Sequence, residues 1–212
     1  MKIAVVAASG RVGQLVVKEA MKRGHEVTAF VRAGENRSAA PSGVVKDVLD
    51  ITRTDLEGFD VVVDAVGGWD EQTAPAIPNA VKALSGVLAG TDTRLVVVGG
   101  AGSLYVNPEH TLTVAQGPDF PEAFQLVAAV HQEALDFLRG VTDVRWTYIS
   151  PAADFQAEGE RTGDYILAGE EFTTNDAGES VISYADYAIA LIDEAERTDG
   201  AHEKTRISVL GK

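Results

Sequence analysis

Residues 7–13 read Ala7-Ala8-Ser9-Gly10-Arg11-Val12-Gly13, directly after the apolar run Ile3–Val6 and directly before a stretch with helical spacing. A strand that turns through such a loop into a helix aims backbone N–H groups and the positive helix end at one point, where a Rossmann unit holds a dinucleotide pyrophosphate. Gly10 lets the backbone approach the phosphates, and Gly13 lets the helix pack closely on the strand. A glycine pattern alone is a weak signal, and the strand–loop–helix setting gives it weight. Ala7 stands where the fingerprint has its first glycine, and a positive φ there carries a steric cost for the methyl group. A second marker lies nineteen residues beyond Gly13, where an acidic residue would hold the ribose 2′-hydroxyl of NAD. That position is Arg32, at the end of a strand. A cation there pairs with a 2′-phosphate, so NADP(H) is favoured over NAD(H), with Arg11 and Arg37 placed to assist. Glu35 lies beyond the strand end, a poor place for a ribose ligand.

Other reactive groups are scattered. A Tyr-x-x-x-Lys pair, whose lysine lowers the tyrosine pKa for proton transfer, would suit alcohol–ketone chemistry. Four residues after Tyr105, Tyr148, Tyr165, Tyr184 and Tyr187 come Glu109, Ala152, Gly169, Ala188 and Leu191, so the pair is absent. The four histidines and the carboxylates have no metal-ligand spacing, and no metal is expected. No Gly-x-Ser-x-Gly elbow marks a hydrolase. His131 shares a helical face with Val127, Ala134 and Leu138 and reads as a packed side chain ahead of a proton donor. His110 falls in a loop that nothing fixes. Trp69 and Phe155 either wall an aromatic-ligand pocket or fill a core or lid. Arg161 meets an anionic substrate group, or simply Glu158 or Glu160.

The elements that must position these groups follow from periodicity. Ile3 to Val6, Glu26 to Val31, Val61 to Val63 and Arg94 to Val98 are nearly continuously apolar at their centres, as strands covered on both faces are. Val12, Leu15, Val16 and Ala20 recur at helical spacing before the stop signal Gly24, and Pro78 to Leu88 supplies a second helix. This alternation predicts βαβ units and a parallel sheet. Pro121 to Leu138 reads as a long helix and Val144 to Ile149 as a further strand. Tyr165 to Thr174 has β character and, with Gly163 and Gly169 nearby, reads as a small excursion from the sheet, and Arg206 to Leu210 reads as a last strand. Ser183 and Asp186 form a candidate capping box for a helix through Ile192. The 212 residues carry no linker or repeat and read as one domain.

Composition narrows the partners. The formal charge is −14 with a pI near 4.6, which argues against nucleic acid and anionic membrane surfaces. There is no cysteine, which excludes disulfides, thiolate metal sites and thiol nucleophiles. No signal peptide or long apolar run is visible, and a cytoplasmic location is expected.

Several motifs carry a family resemblance over essentially the whole chain. Met1-Lys2-Ile3-Ala4-Val5, the Ser9–Gly13 turn and Arg23-Gly24-His25-Glu26-Val27-Thr28-Ala29 resemble the atypical short-chain dehydrogenase/reductases. Val98-Gly99-Gly100-Ala101-Gly102-Ser103-Leu104, Pro118-Asp119-Phe120-Pro121, Trp146-Thr147-Tyr148-Ile149-Ser150-Pro151-Ala152 and Gly159-Glu160-Arg161-Thr162-Gly163 resemble one subgroup of these. That subgroup is the NADH-flavin reductases and NmrA-like NAD(P)-binding proteins, relatives of the biliverdin-IXβ/flavin reductases. The resemblance implies that Asp47 and Val48 border adenine and that Ala65, Val66 and Gly67 pass under the adenosine ribose. It also implies that Gly99, Gly100 and Ser103 meet the nicotinamide side, where Ser150, Pro151 and Ala152 line the carboxamide. Ser103 is the candidate hydrogen-bonding residue toward the acceptor or nicotinamide, or else a turn serine.

These readings converge on a single doubly wound Rossmann-type domain over residues 1–212, helices on both faces, with a C-terminal substrate-side lobe over about 151–182. The expected activity is hydride transfer from NADP(H) to a flat conjugated acceptor such as a free flavin or quinone, which needs no Tyr–Lys pair. The alternative is a non-catalytic NADP-binding redox sensor. A monomer or a homodimer fits either.

Overall fold

The computed structural model describes all 212 residues. In chain order the elements are β1 (Lys2–Val6), α1 (Arg11–Lys22), β2 (Glu26–Val31), β3 (Ser42–Val45), β4 (Val61–Asp64), α2 (Ala76–Leu88), β5 (Arg94–Val98), α3 (Gln125–Arg139), β6 (Arg145–Ser150), β7 (Asp154–Gln156), β8 (Ile166–Ala168), β9 (Val181–Ser183), α4 (Tyr184–Ala195) and β10 (Thr205–Leu210). Eight strands form one sheet in the order β3-β2-β1-β4-β5-β6-β10-β8, parallel except where β8 runs against β10. The chain leaves β1 toward β2 and β3 and returns to β4 on the other side of β1. That reversal opens a crevice beyond the carboxyl ends of β1 and β4, the usual ligand position in such sheets.

Alternate residues of each strand feed opposite cores. Ile3, Val5, Val61, Val63 and Ile149 pack beneath α1 and α4, while Ala4, Val6, Val62, Leu95 and Val97 pack beneath α2 and α3. Both faces are dry, which is why the central strands read as unbroken apolar runs rather than alternating ones. The doubly wound α/β fold expected from the sequence is the one observed. No helix is long and apolar enough to cross a membrane.

Three details differ from the sequence reading. The β character expected over Tyr165 to Thr174 is found at Ile166–Ala168, but as the antiparallel edge strand of the main sheet rather than an excursion from it. The separate piece is the two-stranded pairing of β7 with β9, Asp154↔Val181 to Gln156↔Ser183. The helix expected from Pro121 begins at Gln125, after a 3₁₀ turn over Glu122–Phe124. At α4, Ser183 Oγ accepts the Asp186 amide at 3.0 Å, but the Asp186 carboxylate does not return to the cap. It accepts instead from the Thr162 amide and hydroxyl and the Gly163 amide at 2.8–3.0 Å, fastening the Gly159–Gly163 motif to the start of α4.

At the opposite end of the sheet, Arg94 at the start of β5 pairs with Glu194 of α4, both side chains almost fully buried. Arg94 also donates to Thr147 Oγ1 at 2.7 Å, and Glu194 receives His202 Nδ1 at 2.6 Å. Removing one member of such a pair strands a charge in a dry interior. Arg94→Met is expected to lower the free energy of unfolding by about 3 kcal/mol in a urea titration. A loss below about 1 kcal/mol would show that Glu194 is not left uncompensated.

Candidate functional site

The glycine loop is built around a left-handed residue. Ala7, at the end of β1, has φ +58°, so the chain accepts the steric cost that a methyl group carries there, about 1–2 kcal/mol. The turn brings the Gly10 amide to 2.9 Å from the Ala7 carbonyl oxygen. A Cβ at Gly13 would lie 2.4 Å from that same oxygen, and one at Gly10 would lie 3.1 Å from it. Gly13 therefore admits no side chain, and its bareness seats α1 on β1. The first backbone bond of the helix region runs from the Gln14 amide to the Gly10 carbonyl at 2.9 Å. The amides of Arg11, Val12 and Gly13 have no protein partner and point out of the helix end, the arrangement that receives a phosphate.

The arginines divide sharply around this loop. Of eleven, Arg23, Arg94, Arg139, Arg145, Arg161, Arg197 and Arg206 each pair with a carboxylate. Arg53 donates to the Ala89 carbonyl. Only Arg11, Arg32 and Arg37 lack a hydrogen-bonded or ionic side-chain partner, and all three are exposed around the glycine loop. Arg11 lies over the Tyr184 ring, 5.8 Å from guanidinium carbon to centroid, and that ring rests on Phe155 at 4.1 Å. Tyr184 was not singled out from sequence, because only the fold brings α4 beside the start of α1.

The remaining expected cofactor residues lie along the same sheet edge. Asp47 and Val48 follow β3, where Asp47 caps a short 3₁₀ turn by accepting the Leu49 amide at 3.0 Å. Ala65, Val66 and Gly67 follow β4, Gly99 and Gly100 follow β5, and Ser150 ends β6 with Pro151 and Ala152 after it. Gly99 and Gly100 are glycine for packing reasons: a Cβ would lie 2.3 Å from the Tyr148 ring at one and 2.9 Å from the His131 ring at the other. The Tyr148 hydroxyl accepts the Gly100 amide at 3.1 Å and contacts the carbonyl oxygen and Nδ1 of His131. Burial pushes His131 down to about 4 and holds Tyr148 well above the usual tyrosine range. His131 is thus the packed side chain of the two readings. The Ser150 hydroxyl is buried with no partner.

The other candidates are held as follows. Ser103 is 3% exposed, and its hydroxyl accepts from Arg206 at 3.2 Å, so the side chain is turned inward rather than toward the open edge. His110 is fixed after all, stacked on Tyr105 with ring centroids 4.4 Å apart and bonded to Glu171 at 2.7 Å. Arg161 pairs with Glu19 at 3.0 Å instead of Glu158 or Glu160. Phe155 is a packed residue against Tyr184 and Tyr187, whereas Trp69 is 60% exposed in the loop after β4.

Residues 7–195 match the NAD(P)H-binding family, and the chain belongs to that family. It is 40% identical to the YwnB protein of Bacillus subtilis (strain 168), over 100% of this chain and 99% of that one. A Streptococcus pneumoniae TIGR4 structure described as a "putative NADH-flavin reductase" superposes with TM-score 0.96 at 51% identity, covering 100% of both chains. ChuY of Escherichia coli O157:H7, an anaerobillin reductase, shares the fold alone, with TM-score 0.73 at 15% identity over 100% of this chain and 97% of that one. The atypical short-chain dehydrogenase/reductase character expected from the motifs is thereby met.

Asp64 is the group that sequence reasoning passed over. It closes the apolar run of β4 and is buried, and its carboxylate accepts one hydrogen bond, from the Val66 amide at 3.0 Å, with no cation paired to it. Burial pushes its carboxyl up to about 7. The folded protein therefore holds a proton that the unfolded chain releases near 3.8, and stability falls as pH rises from about 4 to 7. Asp64→Asn keeps the acceptor for Val66 and removes the charge. Its melting temperature should exceed that of the parent by at least about 3 °C at pH 8, with a clearly smaller gain at pH 5. An equal gain at both values, or none, would contradict the burial argument.

Proposed function

We propose that this chain is an NADPH-dependent reductase that passes hydride to a flat conjugated acceptor such as a free flavin or a quinone. The carrying observation is the trio Arg11, Arg32 and Arg37, unpaired beside three free amides in a chain where every other arginine is engaged. In a protein of net charge −14, exposed arginines without carboxylate partners beside unbonded amides suit anionic groups. The amides of Arg11, Val12 and Gly13 suit a pyrophosphate, and Arg32 at the end of β2 suits a 2′-phosphate. Asp47 and Val48 would border adenine, Ala65 to Gly67 the ribose, and Gly99, Gly100 and Ser150 to Ala152 the nicotinamide. The bound nicotinamide supplies the hydride.

The side chains near the nicotinamide end supply orientation rather than protons. Tyr148 and Tyr187 are buried, with the Tyr187 hydroxyl given to the Ile149 carbonyl at 2.7 Å, and His131 stays neutral at pH 7. Ser103 holds Arg206 and is a positioning residue for the Gly99–Leu104 turn. An acceptor whose developing charge is delocalised over a ring system can take its proton from solvent, so this environment fits a flavin or quinone better than a ketone. The 51% identity to the chain described as an NADH-flavin reductase supports the flavin reading, although that description specifies NADH. Residues 151–182, fastened by Asp186 and Arg161, form the substrate-side lobe in this proposal, and Trp69 is the exposed aromatic available to the acceptor.

Purified protein should oxidise NADPH when FMN or menadione is added, followed at 340 nm. Binding of NADPH with no turnover of either acceptor would instead favour the NADP-binding sensor. Ser103→Ala should keep kcat within about threefold while losing about 3 °C of melting temperature, one hydrogen bond's worth in a chain this long. A collapse of kcat with an unchanged melting temperature would return Ser103 to the chemistry. Arg32→Ala should raise the KM for NADPH by at least about tenfold and that for NADH by less than threefold, and equal losses would refute the 2′-phosphate assignment.

A further inference from the structure

Charge is spread unevenly along the chain. Residues 151–182 hold eight carboxylates and one cation, Arg161, so this lobe carries −7, half of the formal −14. Arg161 is already paired with Glu19 of α1 at 3.0 Å. Three of the carboxylates have partners outside the lobe: Glu170 meets Arg139 and Arg206, Glu171 meets His110, and Asp164 meets Lys212. Asp154, Glu158, Glu160, Asp176 and Glu179 are exposed and have no ionic partner. The fold gathers these five around one small sheet. β7 lies beside β9 with Asp154 opposite Val181, and the Asp154 amide bonds the Ser180 carbonyl at 2.9 Å. The turn that leads into β9 closes from the Asn175 amide to the Glu179 carbonyl at 2.9 Å, and it carries Asp176 and Glu179. Between Glu158 and Glu160, Gly159 presses on the end of β9, where a Cβ would lie 2.8 Å from the Ser183 Cβ.

We infer that this lobe selects acceptors by charge, so that a neutral ring compound such as riboflavin is taken in preference to one that carries a phosphate, such as FMN. The inference rests on the reductase reading above, in which the nicotinamide lies against Ser150 to Ala152. The lobe begins at those residues, so its five unmatched carboxylates border the place from which an acceptor approaches the ring. The glycine loop has the opposite character, with exposed arginines and unbonded amides for the cofactor's own anions. The lobe contains no lysine, and its one arginine is engaged, so nothing in it holds a second anion. The root of the lobe points the same way. There the Ser150 hydroxyl is fully buried without a partner, and the polar group it offers is uncharged. A hydroxyl suits a carbonyl or amide of a neutral ring system. With either flavin, NADPH gives up a hydride and becomes NADP⁺, the flavin takes that hydride, and solvent supplies one proton. The two flavins therefore share one reaction and differ by the phosphate alone. A dianion near five carboxylates is repelled at low salt, and the repulsion is screened beyond about 10 Å at about 0.1 M salt.

Steady-state oxidation of saturating NADPH by the whole protein, with riboflavin or FMN as acceptor, tests this. At about 20 mM NaCl, kcat/KM for riboflavin should exceed that for FMN by at least about fivefold, and at about 300 mM the gap should shrink below about twofold. A variant combining Glu158→Gln, Glu160→Gln, Asp176→Asn and Glu179→Gln should raise kcat/KM for FMN about three- to fivefold at the lower salt, with riboflavin within about twofold of the parent. These four side chains are exposed and unpaired, so the melting temperature should stay within about 2 °C of the parent's, which separates a charge effect from a folding defect. Equal use of the two flavins at low salt would overturn the selection while the reductase reading stands. So would a parent preference that the variant leaves unchanged, an equal gain for riboflavin, or turnover of menadione with neither flavin. NADPH oxidation with none of the three acceptors would sink the reductase reading, and the selection with it.

Discussion

Gly13 can carry no side chain, because a Cβ there would lie 2.4 Å from the Ala7 carbonyl oxygen. The candidate site depends on that close approach. It requires Ala7 to turn through positive φ at the end of β1, and it seats α1 so that its first amides emerge above the carboxyl end of the sheet. The parallel neighbours β2 and β4 then deliver Arg32 on one side and Ala65 to Gly67 on the other.

Charge placement follows the same logic. An acidic chain that must bind a polyanion cannot do so through its net field. It neutralises most of its arginines internally and leaves a few unpaired where they are wanted. The buried titratable groups, by contrast, serve packing. His131 and Tyr148 fill the space that Gly99 and Gly100 leave open, and Asp64 is an isolated carboxyl held by one amide.

Much of this was legible in the residues, for identifiable reasons. The central strands are dry on both faces, so their composition announces them, and the glycine loop is local in sequence. Arg32 could be found by counting from Gly13. What escaped depends on contacts between distant parts of the chain. The partner of Ser103 is Arg206, 103 residues away, and that of Arg161 is Glu19, 142 residues away. The edge pairing of β8 with β10 and the ring of Tyr184 under Arg11 are equally non-local. Asp64 did leave a signal, as the single charged residue closing an apolar strand, and the burial of its neighbours is what that signal meant.

The most direct measurement is a crystal structure of this protein with NADP⁺ bound. The pyrophosphate oxygens should accept from the Arg11 and Val12 amides at about 2.8–3.1 Å, the 2′-phosphate should lie between Arg32 and Arg37, and the nicotinamide should lie against Gly99, Gly100 and Ser150 to Ala152. A dinucleotide seated elsewhere, or a pyrophosphate clear of the glycine loop, would contradict the assignment of this edge as the cofactor site.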